Sequence, residues 1–96
     1  MAAEELIKKL KGLKAELQTE YKVKKIGIFG SFVKGEQKKT SDIDVLVEFE
    51  EDADLFSLIG LSDFLKTKLK REVDVVPERA LRKELRASIL RDVVYV

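Results

Sequence analysis

"FGSFVKGEQKKTSDIDVLVEF", residues 29–49, sets a Gly-Ser pair (Gly30, Ser31), then ten residues from Phe32 to Ser41, then two aspartates, Asp42 and Asp44, separated by one isoleucine. The apolar run Val45-Leu46-Val47 follows at once. Such a run suggests a strand buried on both faces, and a strand entering a core seldom carries two carboxylates at its entrance. Residues two apart in a strand point the same way. Asp42 and Asp44 therefore project from one face, with Cα atoms roughly 6.6 Å apart. Two such carboxylates can converge on one divalent cation or bridge two. Without a cation they repel and raise one another's pKa.

The flanking sequence alternates helices with strands. Leu6, Leu10, Leu13, Leu17 and Tyr21 recur at helical spacing and predict a helix over about residues 2–21. "VKKIGIFG" reads as a strand closed by Gly30, Ser31 to Gly35 as a helical turn, and "EQKKT" as an exposed loop. After the "DIDVLVEF" strand, Asp54 is a candidate N-cap. The helix it opens carries Leu55, Leu58, Ile59, Leu61, Leu65 and Leu69 and runs to about Arg71. "EVDVVP" is a third strand ended by Pro77. Leu81, Leu85 and Ile89 mark a last helix, and "VVYV" ends extended. The reading is one α/β domain over residues 1–96, a small mixed sheet of three or four strands with helices packed on it.

Asp74, between Val73 and Val75, repeats the motif of an acid inside an apolar strand. If the second and third strands are neighbours, Asp74 joins Asp42 and Asp44 in an oxygen-rich site suited to magnesium. Gly30 lets backbone approach a ligand closely. Ser31 can donate its hydroxyl and N–H to a phosphate, and Lys34 can add positive charge nearby. Ser41 is a further candidate, although a serine there is more often a turn or cap. The glycine spacing is that of a P-loop, but Glu36 and Gln37 stand where lysine and Ser/Thr belong. Each feature alone has a plainer reading: a turn, a cap pair, an edge-strand gatekeeper, a solvated lysine. Their conjunction carries the argument.

Composition narrows the chemistry. The chain has 96 residues, is 45% hydrophobic and 39% charged, and contains no histidine and no cysteine. Imidazole bases, thiol nucleophiles, disulfides and thiolate metal sites are excluded. The net charge of +1 gives no bulk field toward nucleic acid or membrane, and no basic stripe with interleaved aromatics appears. Lys22, Lys24, Lys25, Lys34, Lys38 and Lys39 precede the aspartates, while Glu48, Glu50, Glu51, Asp52 and Asp54 follow them. This segregation suggests a carboxylate cluster facing a lysine-rich edge, as metal plus polyphosphate requires. "MAAEELIKKL" lacks a signal peptide's apolar stretch, and no run approaches the ~20 apolar residues of a membrane span. The expected location is cytoplasmic.

The pattern of Gly-Ser, ten residues, Asp-x-Asp and a later strand carboxylate resembles the nucleotidyltransferase superfamily typified by DNA polymerase beta. "GSFVKGEQKKTSDIDVLV" looks most like the minimal nucleotidyltransferases, the MNT proteins of prokaryotes, and the similarity covers nearly the whole chain. One departure is Val33-Lys34 where the family often has Ala-Arg; lysine keeps the charge but loses bidentate geometry. The resemblance implies a nucleotidyltransferase fold, with Asp42, Asp44 and Asp74 binding Mg²⁺, as two ions when nucleotide is present. Gly30, Ser31, Lys34 and Ser41 would hold ATP, and Asp74 would help deprotonate the acceptor. It implies transfer of AMP to a hydroxyl, a tyrosine, of a HEPN-domain toxin, as the antitoxin of a type VII-like pair. A hetero-oligomer follows, with a homodimer left open. The alternatives are a non-catalytic antitoxin acting by occlusion, or the catalytic subunit of an antibiotic nucleotidyltransferase.

Overall fold

A computed structural model of the chain describes residues 1–38 and 42–96. In order, the elements are helix α1 (Ala3–Tyr21), strand β1 (Val23–Phe29), the one-turn helix α2 (Ser31–Lys34), strand β2 (Ile43–Phe49), helix α3 (Leu55–Leu69), strand β3 (Val73–Pro77), a 3₁₀ turn (Glu78–Ala80), helix α4 (Lys83–Asp92) and the short strand β4 (Val94–Tyr95). The strands form one mixed sheet in the order β3-β2-β1-β4. β2 is antiparallel to β1 and parallel to β3. A parallel pair needs a crossover, and α3 supplies it.

Alternation along the strands creates two unlike faces. Val23, Ile26, Ile28, Ile43, Val45, Val47 and Val73 join Leu6, Leu10 and Leu17 of α1 and Leu61, Leu65 and Leu69 of α3 in the main core. Leu46 points the other way and is also fully buried, at 0% exposure. It pairs with Gly27 of β1 and Val76 of β3, and the 3₁₀ turn packs against β2. β2 is thus buried on both faces, as its unbroken apolar run requires.

Local chemistry sets the ends of the elements. α1 stops at Lys22 and α3 at Lys70, each in the left-handed region with φ of 58° and 54°. Lys22 spans from this corner to the β2–α3 loop: its Nζ lies 3.1 Å from Asp52 Oδ2 and donates to the Asp52 carbonyl at 3.3 Å. Asp54 caps α3 in a capping box, accepting from the Ser57 N–H at 3.1 Å while Ser57 Oγ accepts from the Asp54 N–H at 3.3 Å. At the far edge, Gly27 is where β4 closes on β1. A Cβ there would stand 2.8 Å from Val93 Cγ2 and 2.9 Å from the Val94 carbonyl oxygen. Among the described residues, no helix is long and apolar enough to cross a membrane.

The α3 stripe departs from the sequence reading. Leu61, Leu65 and Leu69 are buried, but Leu55 and Ile59 are 66% and 50% exposed, and Phe56 is 81% exposed. Six apolar positions cannot share one 3.6-residue stripe, and the sheet covers only the side holding residues 61, 65 and 69. α4 buries no residue fully, and Leu85 stays exposed.

Candidate active site

Register sets two of the acids side by side. β2 and β3 pair Asp44 with Asp74, and antiparallel pairing with β1 sets Phe29 on the other side of Asp44. Residues paired across neighbouring strands share a face, at the strand spacing of about 4.8 Å. Asp74 therefore stands on the face of Asp44, opposite the main core. Asp42, immediately before β2, is exposed, as is Asp74; Asp44 is half-buried between them.

The Gly30 corner closes directly over Asp44. Gly30 has φ 76° and ψ −147°, a conformation that L side chains rarely adopt. A Cβ on it would run into Asp44 Oδ2 and stand 3.0 Å from its Cγ. The Gly30 carbonyl accepts from the Val33 and Lys34 N–H groups, both at 3.2 Å, which starts α2 at Ser31. Ser31 thus directly follows the glycine that Asp44 faces. Lys34 ends the turn and is exposed. Ser41 lies outside the described residues.

The acids repel one another. Burial pushes the Asp44 carboxyl above the usual carboxylate range, and the negative charges of Asp74 and Asp42 push it further. The early lysines do not relieve this. Antiparallel pairing sets Val23 against Phe49, so Lys22 to Lys25 flank the far end of β2. Lys22 pairs with Asp52, Lys24 reaches Glu48 at 3.5 Å, and Lys25 lies 3.9 Å over the Tyr95 ring. The expected lysine-rich edge facing the acids is therefore formed by none of these three; strand direction carries them away.

The site fits a hard divalent ion by donor chemistry: carboxylates of Asp44 and Asp74 on one face, with Asp42 just ahead of β2. The fit requires the exposed Asp42 and Asp74 side chains to turn inward. Among the described residues, no three ligating side chains are already gathered around a common point.

Against this geometry the comparisons are specific. Residues 10–96 match the family model described as nucleotidyltransferase domain. The chain belongs to the nucleotidyltransferase domain family. Over 96 residues it is 41% identical to the protein adenylyltransferase MntA of Thermococcus cleftensis, covering 100% of this chain and 97% of that one. A solved structure taken to be a minimal nucleotidyltransferase superposes with a TM-score of 0.84 at 33% identity, covering 98% of this chain and 95% of the other. A toxin–antitoxin crystal structure with AMP-PNP superposes with a TM-score of 0.70 at 25% identity, covering 99% and 72%. The nucleotidyltransferase fold expected from the sequence is the fold observed.

Proposed function

We propose that this nucleotidyltransferase transfers AMP from ATP to a hydroxyl, a tyrosine, of a HEPN-type partner protein, and so acts as the antitoxin of a toxin–antitoxin pair. The observation that carries the reading is the register of Asp44 with Asp74 beside the Gly30 corner. Full-length similarity to a protein adenylyltransferase supports protein as acceptor, and similarity to a toxin–antitoxin structure holding AMP-PNP supports an adenine nucleotide. The HEPN identity of the partner rests on the family resemblance.

In this reading Gly30 and Ser31 hold the phosphates, with Lys34 adding positive charge. The acceptor oxygen attacks the α-phosphorus as the bond to the β-phosphate oxygen breaks, and pyrophosphate leaves. Asp74, on the outermost strand, takes the acceptor proton and passes it to water. Mg²⁺ held by Asp42, Asp44 and Asp74, two ions when ATP is bound, would neutralise the crowded carboxylates and stabilise charge on the attacking and leaving oxygens. The protein's own share is positioning, supplied by two adjacent strands and one corner.

The test is intact-mass measurement of the HEPN-type protein from the same genome after incubation with this chain, ATP and Mg²⁺. The expected result is a mass gain of one AMP or more, abolished by Asp44→Asn. An unmodified acceptor that nevertheless binds would reject the enzymatic reading. Neutralisation of the toxin that survives Asp42→Asn/Asp44→Asn would establish occlusion instead.

A further inference from the structure

β3 is the outermost strand of the sheet, and among the described residues no strand pairs with its outer edge. Its backbone polarity can be assigned. The Ile43 N–H donates to the Glu72 carbonyl at 3.0 Å, so Glu72, and with it Asp74 and Val76, direct their backbone groups toward β2. Val73 and Val75 then direct theirs outward. The next outward position is Pro77, which has no N–H, so the open edge offers two complete donor–acceptor positions and stops.

This edge is one wall of a groove of about 370 Å³ whose other wall is α3. Val73, Asp74 and Val75 line it on one side; Leu58, Ile59, Ser62, Asp63 and Lys66 line it on the other. Asp74 thus belongs at once to the groove and to the acid site. At the far end of the groove, beyond Ile59, lie the exposed Leu55 and Phe56.

The geometry points to this groove as the seat of the acceptor: an extended segment of the partner protein adds to β3 as a fifth strand. The inference rests on the function proposed above and specifies how that reaction obtains its hydroxyl. A residue paired with Asp74 across the new ladder must share its face, the face of Asp44. A hydroxyl-bearing side chain there stands beside the acids. Its two neighbours in sequence, opposite Val73 and Val75, point instead toward α3, where Leu58 and Ile59 are apolar and Ser62, Asp63 and Lys66 are polar. The segment recognised is therefore a hydroxyl-bearing residue whose flanks meet this mixed wall. Backbone bonds to Val73 and Val75 provide affinity, and the alternation selects which hydroxyl reaches the nucleotide.

The experiment is residue-resolved amide exchange of this chain with and without the HEPN-type protein of the same genome, in the absence of nucleotide. The expected result is slowed exchange at Val73 and Val75 on binding, with the Asp74 and Val76 amides, already bonded to β2, changed little. Two variants extend the test. Val75→Pro removes one outward donor where an edge strand tolerates proline, and Ile59→Glu charges the exposed apolar part of the α3 wall without touching the core. Each should raise the acceptor KM tenfold or more, equivalent to the loss of about 1.4 kcal/mol, while ATP affinity stays at the wild-type value. An acceptor that binds without protecting Val73 and Val75, an acceptor that does not bind, or an unchanged KM in both variants would overturn the groove assignment. Protection of the two valines without AMP transfer would leave the groove standing and reject the transfer reaction instead.

Discussion

Gly30→Ala tests the corner on which the candidate site depends, and Gly35→Ala is its control. Both glycines have positive φ, 76° and 72°. At Gly35, ψ is 20° and nothing lies within 4 Å of a built Cβ. Alanine there should cost only the left-handed backbone term, about 1–2 kcal/mol. At Gly30 the backbone lies at the margin of a region used almost solely by glycine, worth about 1–3 kcal/mol. The new methyl would also strike Asp44 Oδ2 and press on Asp44 Cγ and Cβ, at 3.0 and 3.3 Å. The carboxylate can swing, but Cβ is fixed to β2, so an overpacking cost of roughly 1–3 kcal/mol adds to the strain. The total, about 2–6 kcal/mol, is a large part of a small domain's stability. Thermal melts by circular dichroism at neutral pH should place Gly35→Ala about 4–16 °C below wild type, at about 4–8 °C per kcal/mol for a domain of this size, and Gly30→Ala clearly lower. AMP transfer should survive the first substitution and fail in the second. Asp44→Gly in the Gly30→Ala background, which removes that Cβ, should recover the overpacking part, a coupling of about 1–3 kcal/mol. Equal Tm values for the two alanine variants, or strict additivity in the double variant, would show that Gly30 does not hold Asp44.

Asp44→Asn should raise Tm at neutral pH by a few degrees while abolishing transfer. The folded state holds the Asp44 proton to higher pH than the unfolded chain, so stability is greatest in acid and falls as pH rises through the raised folded value. The gain over wild type should therefore vanish below the ordinary carboxylate range, as melts across pH would show. Its size stays small because the group is half-exposed and solvent screens it. Gly27→Ala should lower Tm and release the C-terminal strand, because its methyl meets both Val93 and the Val94 carbonyl; overpacking of about 1–3 kcal/mol is expected, read by melting and by faster amide exchange in β4. Asp54→Ala should cost about 1 kcal/mol in urea denaturation by removing the cap of α3, leaving the acids in place.

The juxtaposition of Asp44 and Asp74 was foreshadowed in the sequence, because each interrupts an apolar strand that has no structural use for a carboxylate; Asp42 precedes β2 and takes no part in that pairing. The motif also carried the helix–strand order and the cap at Asp54. Strand direction was not written locally. Nothing between Phe29 and Ile43 states that β1 and β2 are antiparallel, yet that pairing sends Lys22, Lys24 and Lys25 to Glu48, Asp52 and Tyr95 instead of to the acids. The surface role of α3 was hidden for a related reason. Leu55 and Ile59 are as apolar as Leu61 and Leu65, and only the position of the sheet decides which of them it covers. The open edge of β3 depends on sheet order, which is a long-range property.

The two lysines that end α1 and α3 show how far identical backbone can differ in evolutionary latitude. Lys22 and Lys70 adopt nearly the same left-handed angles, where glycine would relax strain. Lys70 is exposed, so a glycine there is a thermostabilising replacement open to drift or to an engineer. Lys22 ties its corner to Asp52, and a glycine would give up that tie as it relaxed the chain. A site's tolerance here is set by what the side chain fastens, and torsion angles alone would rank the two positions as equals.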